Sequence, residues 1–286
     1  MCRFVFYLGA PIALSSLITE PVHSLIHQSA HSEERSEPLN GDGFGVAWYA
    51  PETGSEPARF RSITPAWNNA NLEDLSRAIR SHCILAHVRA ASPGSDVSEA
   101  NCHPFRHGRL AFMHNGDVGA FPDVRRRLLS GLSDESFRMI RGNTDSEHVF
   151  ALFLDALAAT SAADPVHPAE VLARALVRTI CEVVDLVTVH GNGADVHLNL
   201  VVTDGADAVV SRFATDPNAA QSLYVNVGRR YTCCAGRCQM EPADKGEGSV
   251  VVSSEPLTRD AGWEAVPANH LVVIRADGST ENRPCP

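Results

Sequence analysis

The chain has 286 residues, 44% of them hydrophobic and 20% charged, and its formal net charge is −10. This composition is typical of a globular protein with ample core, and the length suits one large domain or two small ones. No long run of Lys and Arg is present, so nucleic acid is not expected as a partner, and no apolar run reaches the length of a membrane span. The apolar start of the chain is interrupted by Gly9 and Pro11 and has no clear cleavage site, which indicates a strand and a loop rather than a signal peptide.

The first predicted strand, residues 3–8, is preceded by Cys2, which follows Met1 directly. A small residue at this position permits removal of the initiator Met, and the chain then begins with a cysteine that carries both a thiol and a free α-amine. An α-amine has a pKa of about 7.7–8.0, so it can relay a proton between sulfur and a leaving group at neutral pH. The alternative is an ordinary strand or tail cysteine, and Cys2 alone does not decide between them.

Strand patterns occur in two groups with helical patterns between them, bounded by turn pairs such as Asp204-Gly205. This order predicts an α+β protein with antiparallel sheets, and two sheets between layers of helices would give each apolar face a partner. The predicted strands are residues 3–8, 43–49, 84–88 and 110–114, then 196–203, 208–213, 222–227, 249–254 and 270–275.

Four helices are predicted, one within the first group of strands and three between the two groups. Asn71 is placed to cap a helix over residues 72–80. Thr144 and Glu147 form a capping box before the apolar run 149–157. The other two helices begin near Pro122, running toward Leu129, and at Pro168, running to about Val187.

Two segments in the first half have features of a ligand site. The glycine-rich segment 41–49 matches no phosphate-binding loop, and we interpret it as a turn that enters a strand, with close approach to a ligand as the alternative. Arg89 follows the predicted strand 84–88, where a guanidinium can bind a carboxylate through two hydrogen bonds. The alternative for Arg89 is the common one, an exposed surface arginine.

Three further candidates follow along the chain. Asn115-Gly116 is usually a tight turn, but an Asn amide and a Gly N–H can also form a two-donor oxyanion hole for acyl transfer. His103 and His114 are candidate bases or ligands, or histidines with a structural role. Asp145 lies in a predicted first helical turn, where its negative charge either interacts favourably with the helix dipole or holds a substrate ammonium.

The eight cysteines are scattered, and without a secretion signal most are expected to be reduced thiols in a cytosolic protein. The cluster at residues 233–238 contains no Cys-x-x-Cys pair and has no second half at zinc spacing. We interpret its cysteines as buried or half-buried structural residues, and we predict no metal and no other cofactor.

In order, Cys2, His87-x-Arg89, His103-Pro104, His114-Asn115-Gly116 and the segment 144–147 resemble the class II glutamine amidotransferases, whose mature chains begin with a nucleophilic cysteine. The resemblance covers residues 2–150 by motif and extends weakly through 251–257 and Trp263. It is closest to stand-alone members that are similar to the amidotransferase-like subunit of fungal glutathione degradation, and more distantly to the γ-glutamyl hydrolase of the ergothioneine pathway.

The resemblance implies a single domain over residues 1–286 with the four-layer αββα sandwich of the N-terminal-nucleophile hydrolases. It also implies roles for six residues. These are Cys2 as nucleophile with its own α-amine as proton relay, Asn115 and Gly116 as oxyanion donors, Arg89 for the α-carboxylate of a γ-glutamyl group, Asp145 for its α-ammonium, and His103 as a further substrate contact.

One departure bears on the substrate. In the large synthases of this family the Arg is followed by Trp-Ala-Thr-His-Gly, whereas here residues 90–94 are Ala-Ala-Ser-Pro-Gly. The Trp and His contacts are absent, which favours a bulkier γ-glutamyl amide over free glutamine. The chain also has no room for a synthase domain, so we expect a cytoplasmic γ-glutamyl amide hydrolase acting on a glutathione-like or γ-glutamyl-thiol metabolite.

Two alternatives remain open from the sequence. One is a glutaminase subunit that supplies ammonia to a separate synthase, and the other is a non-catalytic scaffold or regulatory subunit. The expected partner is the small-molecule substrate. A partner peptidase or synthase subunit and a homo-oligomer are both compatible with the sequence.

Overall fold

Two antiparallel sheets lie at the centre of the computed structural model, which describes residues 2–34, 39–92, 94–160, 168–234, 236–242 and 248–285. The strands in chain order are β1 (Arg3–Ala13), β2 (Phe44–Trp48), β3 (Ala58–Ser62), β4 (Arg80–Val88), β5 (Phe105–His107), β6 (Leu110–Val118), β7 (Val196–Thr203), β8 (Ala208–Arg212), β9 (Tyr224–Gly228), β10 (Arg230–Cys234), β11 (Arg237–Glu241), β12 (Ser249–Ser253), β13 (Trp263–Ala265), β14 (His270–Ile274) and β15 (Thr280–Pro284).

The first sheet has seven strands in the order β13-β9-β12-β1-β4-β2-β3, and the second has six in the order β15-β14-β8-β7-β6-β5. Neighbouring strands run antiparallel throughout both sheets. Strands β10 and β11 form a separate hairpin. Each sheet combines strands from both halves of the chain, so the second half completes the sheets that the first half begins.

Helices cover the outer face of each sheet. They are α1 (Ser15–Ile18), α2 (Leu25–Ala30), α3 (Ala70–Ala78), α4 (Phe121–Gly131), α5 (Asp134–Met139), α6 (Asp145–Thr160) and α7 (Ala169–His190). Helix α7 buries one apolar face and exposes charged residues on the other. Among the described residues, no helix combines the length and apolar character needed to cross a lipid bilayer.

Three hydrophobic cores separate four layers. On β1, Phe4 and Phe6 pack between the two sheets, whereas Val5 and Tyr7 pack toward the helices of the first sheet. A third core lies between the second sheet and helices α6 and α7, and it includes Phe112. Because successive strand residues point to opposite faces, a strand buried on both sides has no polar alternation. The predicted α+β fold, with two antiparallel sheets in an αββα sandwich, is confirmed.

Several predicted boundaries were wrong. Asn69, not Asn71, caps α3, because its Oδ1 accepts the Leu72 N–H at 2.8 Å. The helix ends at Ala78 since Arg80 already begins β4. The capping box is half formed: Thr144 Oγ1 accepts the Glu147 N–H, while the Glu147 carboxylate bonds the Arg141 and Gly142 N–H groups instead. Strand pairing, which the sequence does not reveal, determines the C-terminal end of α3.

The tight turn considered for Asn115-Gly116 is also absent. Strand β6 continues to Val118, and Asn115 and Gly116 pair with Asn199 and Leu198 on β7. Strand β1 likewise extends to Ala13, past a register shift after Leu8. Short edge and hairpin strands such as β3, β5 and β13 were not predicted from the sequence.

The cysteine cluster contains a disulfide between Cys233 and Cys238, which face each other across the β10–β11 hairpin. Cys233 and Cys238 are half-buried, as interpreted for structural cysteines, whereas Cys234, between them in sequence, is exposed, so the interpretation was wrong for Cys234. The remaining six cysteines are free, in agreement with the expectation that most are reduced. The Glu20 carboxylate lies near the two bonded sulfurs, but sulfurs joined to each other are not thiolate ligands for a metal.

Candidate active site

The predicted site residues from three strands meet at one end of the sandwich. Cys2 precedes β1, Arg89 follows β4, and their strands are paired so that Arg3 lies opposite Val88. Asn115 lies on β6 of the second sheet, at the same parity as Met113, which points between the sheets. The period of two along each strand therefore directs these side chains toward the space between the sheets.

Cys2 is half-buried, and its thiol donates to the Ala90 carbonyl with an Sγ–O distance of 3.6 Å. Burial raises the pKa of this thiol, because a thiolate loses hydration there. The positive charge of Arg89 acts in the opposite direction and the negative charge of Asp145 adds to the increase, so both groups lie within electrostatic reach of the sulfur. The thiol therefore requires a nearby proton acceptor to react at neutral pH.

Arg89 is buried, with 3% of its surface exposed, so the surface-arginine alternative was wrong. Its Nη1 donates to the Asp96 carbonyl at 3.1 Å and its Nη2 to Ser95 Oγ at 2.9 Å. No carboxylate in the described part of the chain forms an ion pair with it. A buried cation without a counter-ion is costly, and an anionic ligand would relieve that cost.

Asp145 joins the end of β6 to the start of α6. One carboxylate oxygen accepts the Val118 N–H at 2.9 Å, and the other accepts the Ser146 N–H at 2.7 Å. The Ser146 hydroxyl also lies 3.2 Å from the second of these oxygens, and the side chain is only partly buried, so the oxygen that accepts from Val118 keeps a lone pair for a further donor. The structure therefore combines the helix-terminus role with a geometry that leaves room for a ligand cation.

The Asn115 side chain reaches from the second sheet to the first. Its Nδ2 lies 3.5 Å from Ser254 Oγ, and the same hydroxyl accepts the Phe4 N–H at 3.0 Å. The buried Oδ1 has no hydrogen-bond partner among the described residues. Ser254 thus links Asn115 to Phe4, two residues after Cys2, and part of the hydrogen-bonding capacity of Asn115 remains unused.

Only glycine fits at position 116. A Cβ built there would lie 1.9 Å from the His197 carbonyl oxygen and 2.7 Å from His114 Nε2. His114 occupies this space as a structural residue: Nε2 lies 2.9 Å from the His197 carbonyl, and Nδ1 lies 2.9 Å from Ser146 Oγ. Because the carbonyl only accepts, Nε2 carries the proton and Nδ1 accepts from the serine.

His103 lies in the protein interior. Its ring stacks on His87 at a centroid distance of 4.2 Å and meets Phe105 edge-on at 4.6 Å. Burial holds the pKa of His103 well below its usual range, so the ring is neutral, and neither ring nitrogen has a partner within the described residues. The His103 carbonyl would contact a Cβ at Gly45 at 2.0 Å, so that glycine serves close approach to the chain itself.

One buried network beside Cys2 was not predicted as part of the site. Arg3 donates from Nη1 to the Cys2 carbonyl at 2.9 Å and from Nε to Glu255 Oε1 at 2.8 Å. The other Glu255 oxygen lies 2.8 Å from His23 Nε2 and accepts the Glu33 N–H at 2.9 Å. Burial raises the pKa of Glu255, but hydrogen bonds from His23, Ser32 and the Glu33 N–H, with the charge of Arg3, outweigh burial and lower it to about 2.

The segment 251–257 was noted in the sequence without a role for Glu255. The local sequence around Glu255 does not indicate that this carboxylate pairs with Arg3, because Arg3 lies 252 positions away. The network fixes the peptide that carries the Cys2 thiol.

The αββα sandwich of two antiparallel sheets, with a cysteine at the start of a central strand, defines the class of N-terminal-nucleophile amidotransferase folds. The family model described as "Glutamine amidotransferases class-II" matches residues 16–227. The chain belongs to this family.

Relatives and solved structures agree with that assignment. The chain is 42% identical to "Probable glutamine amidotransferase DUG3" of Saccharomyces cerevisiae over 96% of this chain and 82% of that protein. It is 29% identical to "Gamma-glutamyl-hercynylcysteine sulfoxide hydrolase" of Mycobacterium tuberculosis over 98% of this chain and 95% of that protein. A solved glutamine aminotransferase class-II domain protein from Silicibacter pomeroyi is similar with a TM-score of 0.68 and 28% identity over 100% of both chains.

Proposed function

We propose that this protein is a γ-glutamyl amide hydrolase that uses Cys2 as its nucleophile. The observation that carries the proposal is the buried guanidinium of Arg89, which lacks a carboxylate partner among the described residues and acts electrostatically on the Cys2 sulfur. A γ-glutamyl substrate offers one α-carboxylate and one α-ammonium. Arg89 can pair with the carboxylate and Asp145 with the ammonium. The charge of Arg89 lowers the pKa of the Cys2 thiol, and the charge of Asp145 raises it.

The mechanism begins with removal of Met1, which lies outside the described residues. The free α-amine of Cys2 then takes the thiol proton, and the thiolate attacks the γ-carbonyl to give a tetrahedral oxyanion. The same ammonium returns the proton to the departing amine as the C–N bond breaks and the thioester forms. Water, deprotonated by the α-amine, hydrolyses the thioester to release glutamate and restore the thiol.

Asn115 and Gly116 are the proposed oxyanion donors. Rotation of the Asn115 amide by half a turn would let Oδ1 accept from the Ser254 hydroxyl and would bring Nδ2 to the position that now has no partner. In that orientation the amide donates to a developing negative charge near Cys2. His103 is a less direct substrate contact in this proposal, since it acts through the packed ring of His87.

The substrate is proposed to be a glutathione-like or other γ-glutamyl-thiol metabolite. The mycobacterial relative is named for a γ-glutamyl substrate with a sulfur-containing leaving group. The small residues Ala90 and Ala91 after Arg89 are compatible with such a bulky leaving group. A single domain over residues 1–286 and a cytoplasmic location complete the proposal.

Glutamate release from glutathione, γ-glutamylcysteine and glutamine tests the function, using protein whose intact mass shows that Met1 is gone. Cys2→Ala should abolish turnover while circular dichroism and thermal unfolding stay unchanged. Cys181→Ala, at a half-buried free cysteine on α7, is the matched control and should retain full activity. Activity in Cys2→Ala would overturn the assignment of the nucleophile.

A glutaminase subunit that supplies ammonia to a separate synthase is the second candidate, favoured by the family match and by the name of the yeast relative. A glutaminase subunit would show a higher kcat/KM for free glutamine than for any of the γ-glutamyl thiols. No glutamate release from any substrate by Met-processed protein would instead favour a scaffold or regulatory subunit.

A further inference from the structure

A cavity of about 380 Å³ opens at one lateral edge of the sandwich. Strand β3 is the edge of the first sheet and β5 is the edge of the second, and the cavity lies where these two edges meet. Four arginines line it, with one acidic residue among the lining side chains. They are Arg59, Arg61, Arg106 and Arg141, and the acidic residue is Glu147.

Backbone carbonyls, not carboxylates, hold three of these guanidinium groups. Arg59 Nη1 donates to the Pro104 carbonyl at 3.1 Å, and Arg106 Nη1 donates to the Pro57 carbonyl at 2.7 Å. Arg61 Nη1 donates to the Cys102 carbonyl at 3.0 Å and to the Ala100 carbonyl at 3.3 Å. Each guanidinium has five N–H donors, so most of them remain for a ligand.

The one carboxylate in the cavity is already engaged. Glu147 accepts the Arg141 N–H at 3.0 Å and the Gly142 N–H at 2.6 Å. Within the described ranges, no carboxylate forms an ion pair with any of the four guanidinium groups. Four positive charges and one negative charge leave a net charge of +3 in this cavity, in a chain whose formal net charge is −10.

Like charges gathered at partly buried positions repel each other. Burial, together with the charges of Arg61 and Arg106, lowers the pKa of Arg59 to about 10. A multiply charged anion would relieve this repulsion, and the planar forks of several arginines match the tetrahedral oxygens of a phosphoryl group. The cavity volume is in the range of small-molecule sites, and Phe105 and Met139 add an apolar wall.

We propose that this cavity, the arginine pocket, binds phosphate, either as the inorganic ion or as the phosphoryl group of a small metabolite. The pocket shares no lining residue with the Cys2 site. Arg61 also donates a hydrogen bond to the carbonyl of Cys102, the residue before His103. An anion bound to Arg61 therefore restricts the motion of the segment that packs against His87.

Calorimetric titration of the full chain with inorganic phosphate and with glycerol 3-phosphate, at constant ionic strength, tests the proposal. Saturable binding of either probe is expected. The double variant Arg106→Gln/Arg141→Gln, at two exposed positions, should weaken it by about tenfold or more, which corresponds to about 1.4 kcal/mol. Arg77→Gln, an exposed arginine on α3 paired with Glu73, is the control and should bind like the unchanged chain.

The two probes separate the sources of the phosphoryl group. Equal affinities indicate inorganic phosphate, and tighter binding of glycerol 3-phosphate indicates a phosphorylated metabolite. Absence of saturable binding of both probes up to about 10 mM, a level that would detect affinities worth only about 3 kcal/mol, would overturn the proposal. Unchanged affinity in the double variant would overturn it as well, because the anion would then bind elsewhere.

Discussion

Glu255→Gln tests whether the buried carboxylate beside Cys2 stabilises the fold. Gln has nearly the same shape as Glu but no charge, and one of its two terminal atoms becomes a donor. Arg3 and Ser32 donate to one carboxylate oxygen, and His23 and the Glu33 N–H lie on the other. An amide nitrogen at either position would therefore face hydrogen-bond donors.

Two estimates of the magnitude agree. The pKa of Glu255 falls from 4.5 to about 2, and such a difference is equivalent to about 3 kcal/mol of folding free energy at neutral pH. Removing one partner of a buried ion pair costs about 3–5 kcal/mol, because the other charge stays buried, and Arg3 is 2% exposed. We expect Glu255→Gln to lower the free energy of unfolding by about 3–5 kcal/mol at pH 7.

The pH dependence gives a second readout. The folded state holds the pKa of Glu255 below its unfolded value, so the stabilisation is complete above pH 4.5 and is lost as the pH falls toward 2. The difference in stability between the unchanged chain and Glu255→Gln should therefore be nearly constant between pH 7 and pH 5, and it should shrink as the pH falls from about 4.5 toward 2.

Urea unfolding followed by circular dichroism at pH 7, 4 and 3 measures both effects. Glu73→Gln, at an exposed carboxylate paired with Arg77, is the matched control and should cost less than about 1 kcal/mol. A loss below about 1 kcal/mol in Glu255→Gln at pH 7, or a difference that does not shrink with acid, would refute the reasoning.

Three further predictions concern the site. Asn115→Ala should lower kcat by about 10²–10³ with little change in KM if its amide is an oxyanion donor, and an unchanged kcat in steady-state kinetics would remove it from that role. Arg89→Gln should raise KM for γ-glutamyl substrates, with Arg89→Lys only partly restoring it since an ammonium lacks the planar fork, and equal KM values in all three proteins would contradict an α-carboxylate anchor. Gly116→Ala should reduce the free energy of unfolding by about 3 kcal/mol or more, because its Cβ would lie 1.9 Å from the His197 carbonyl oxygen; a stability within about 0.5 kcal/mol of the unchanged chain would show that β6 and β7 separate without cost.

Much of the fold followed from local patterns. The run from Phe4 to Leu8 is apolar at every position, which predicts a strand buried on both faces, and the long helix after Pro168 has an apolar stripe at helical spacing. These signals depend only on neighbours in sequence, so they predicted the α+β class and most element positions. Helix ends were less predictable, since Asn69 rather than Asn71 made the cap.

The proposed site residues were predicted from the sequence as an ordered set, but their environments were not. Asn115-Gly116 has the composition of a turn, and only pairing with β7 keeps it in a strand. Arginine is usually found at the surface, and Arg89 is buried because the loop that supplies Ser95 and Asp96 covers it. Cys233 and Cys238 became a disulfide because the β10–β11 register places them opposite each other.

The sequence by itself indicated which residues are candidates for the chemistry and which segments form strands and helices, because side-chain type and spacing are local properties. The tertiary structure alone decided which of those residues meet. Arg3 and Glu255 are separated by 252 positions, and the four arginines of the arginine pocket come from two edge strands and a loop, so no periodicity along the chain links them. Contacts of this kind depend on sheet order and register, which are set by packing of the whole molecule.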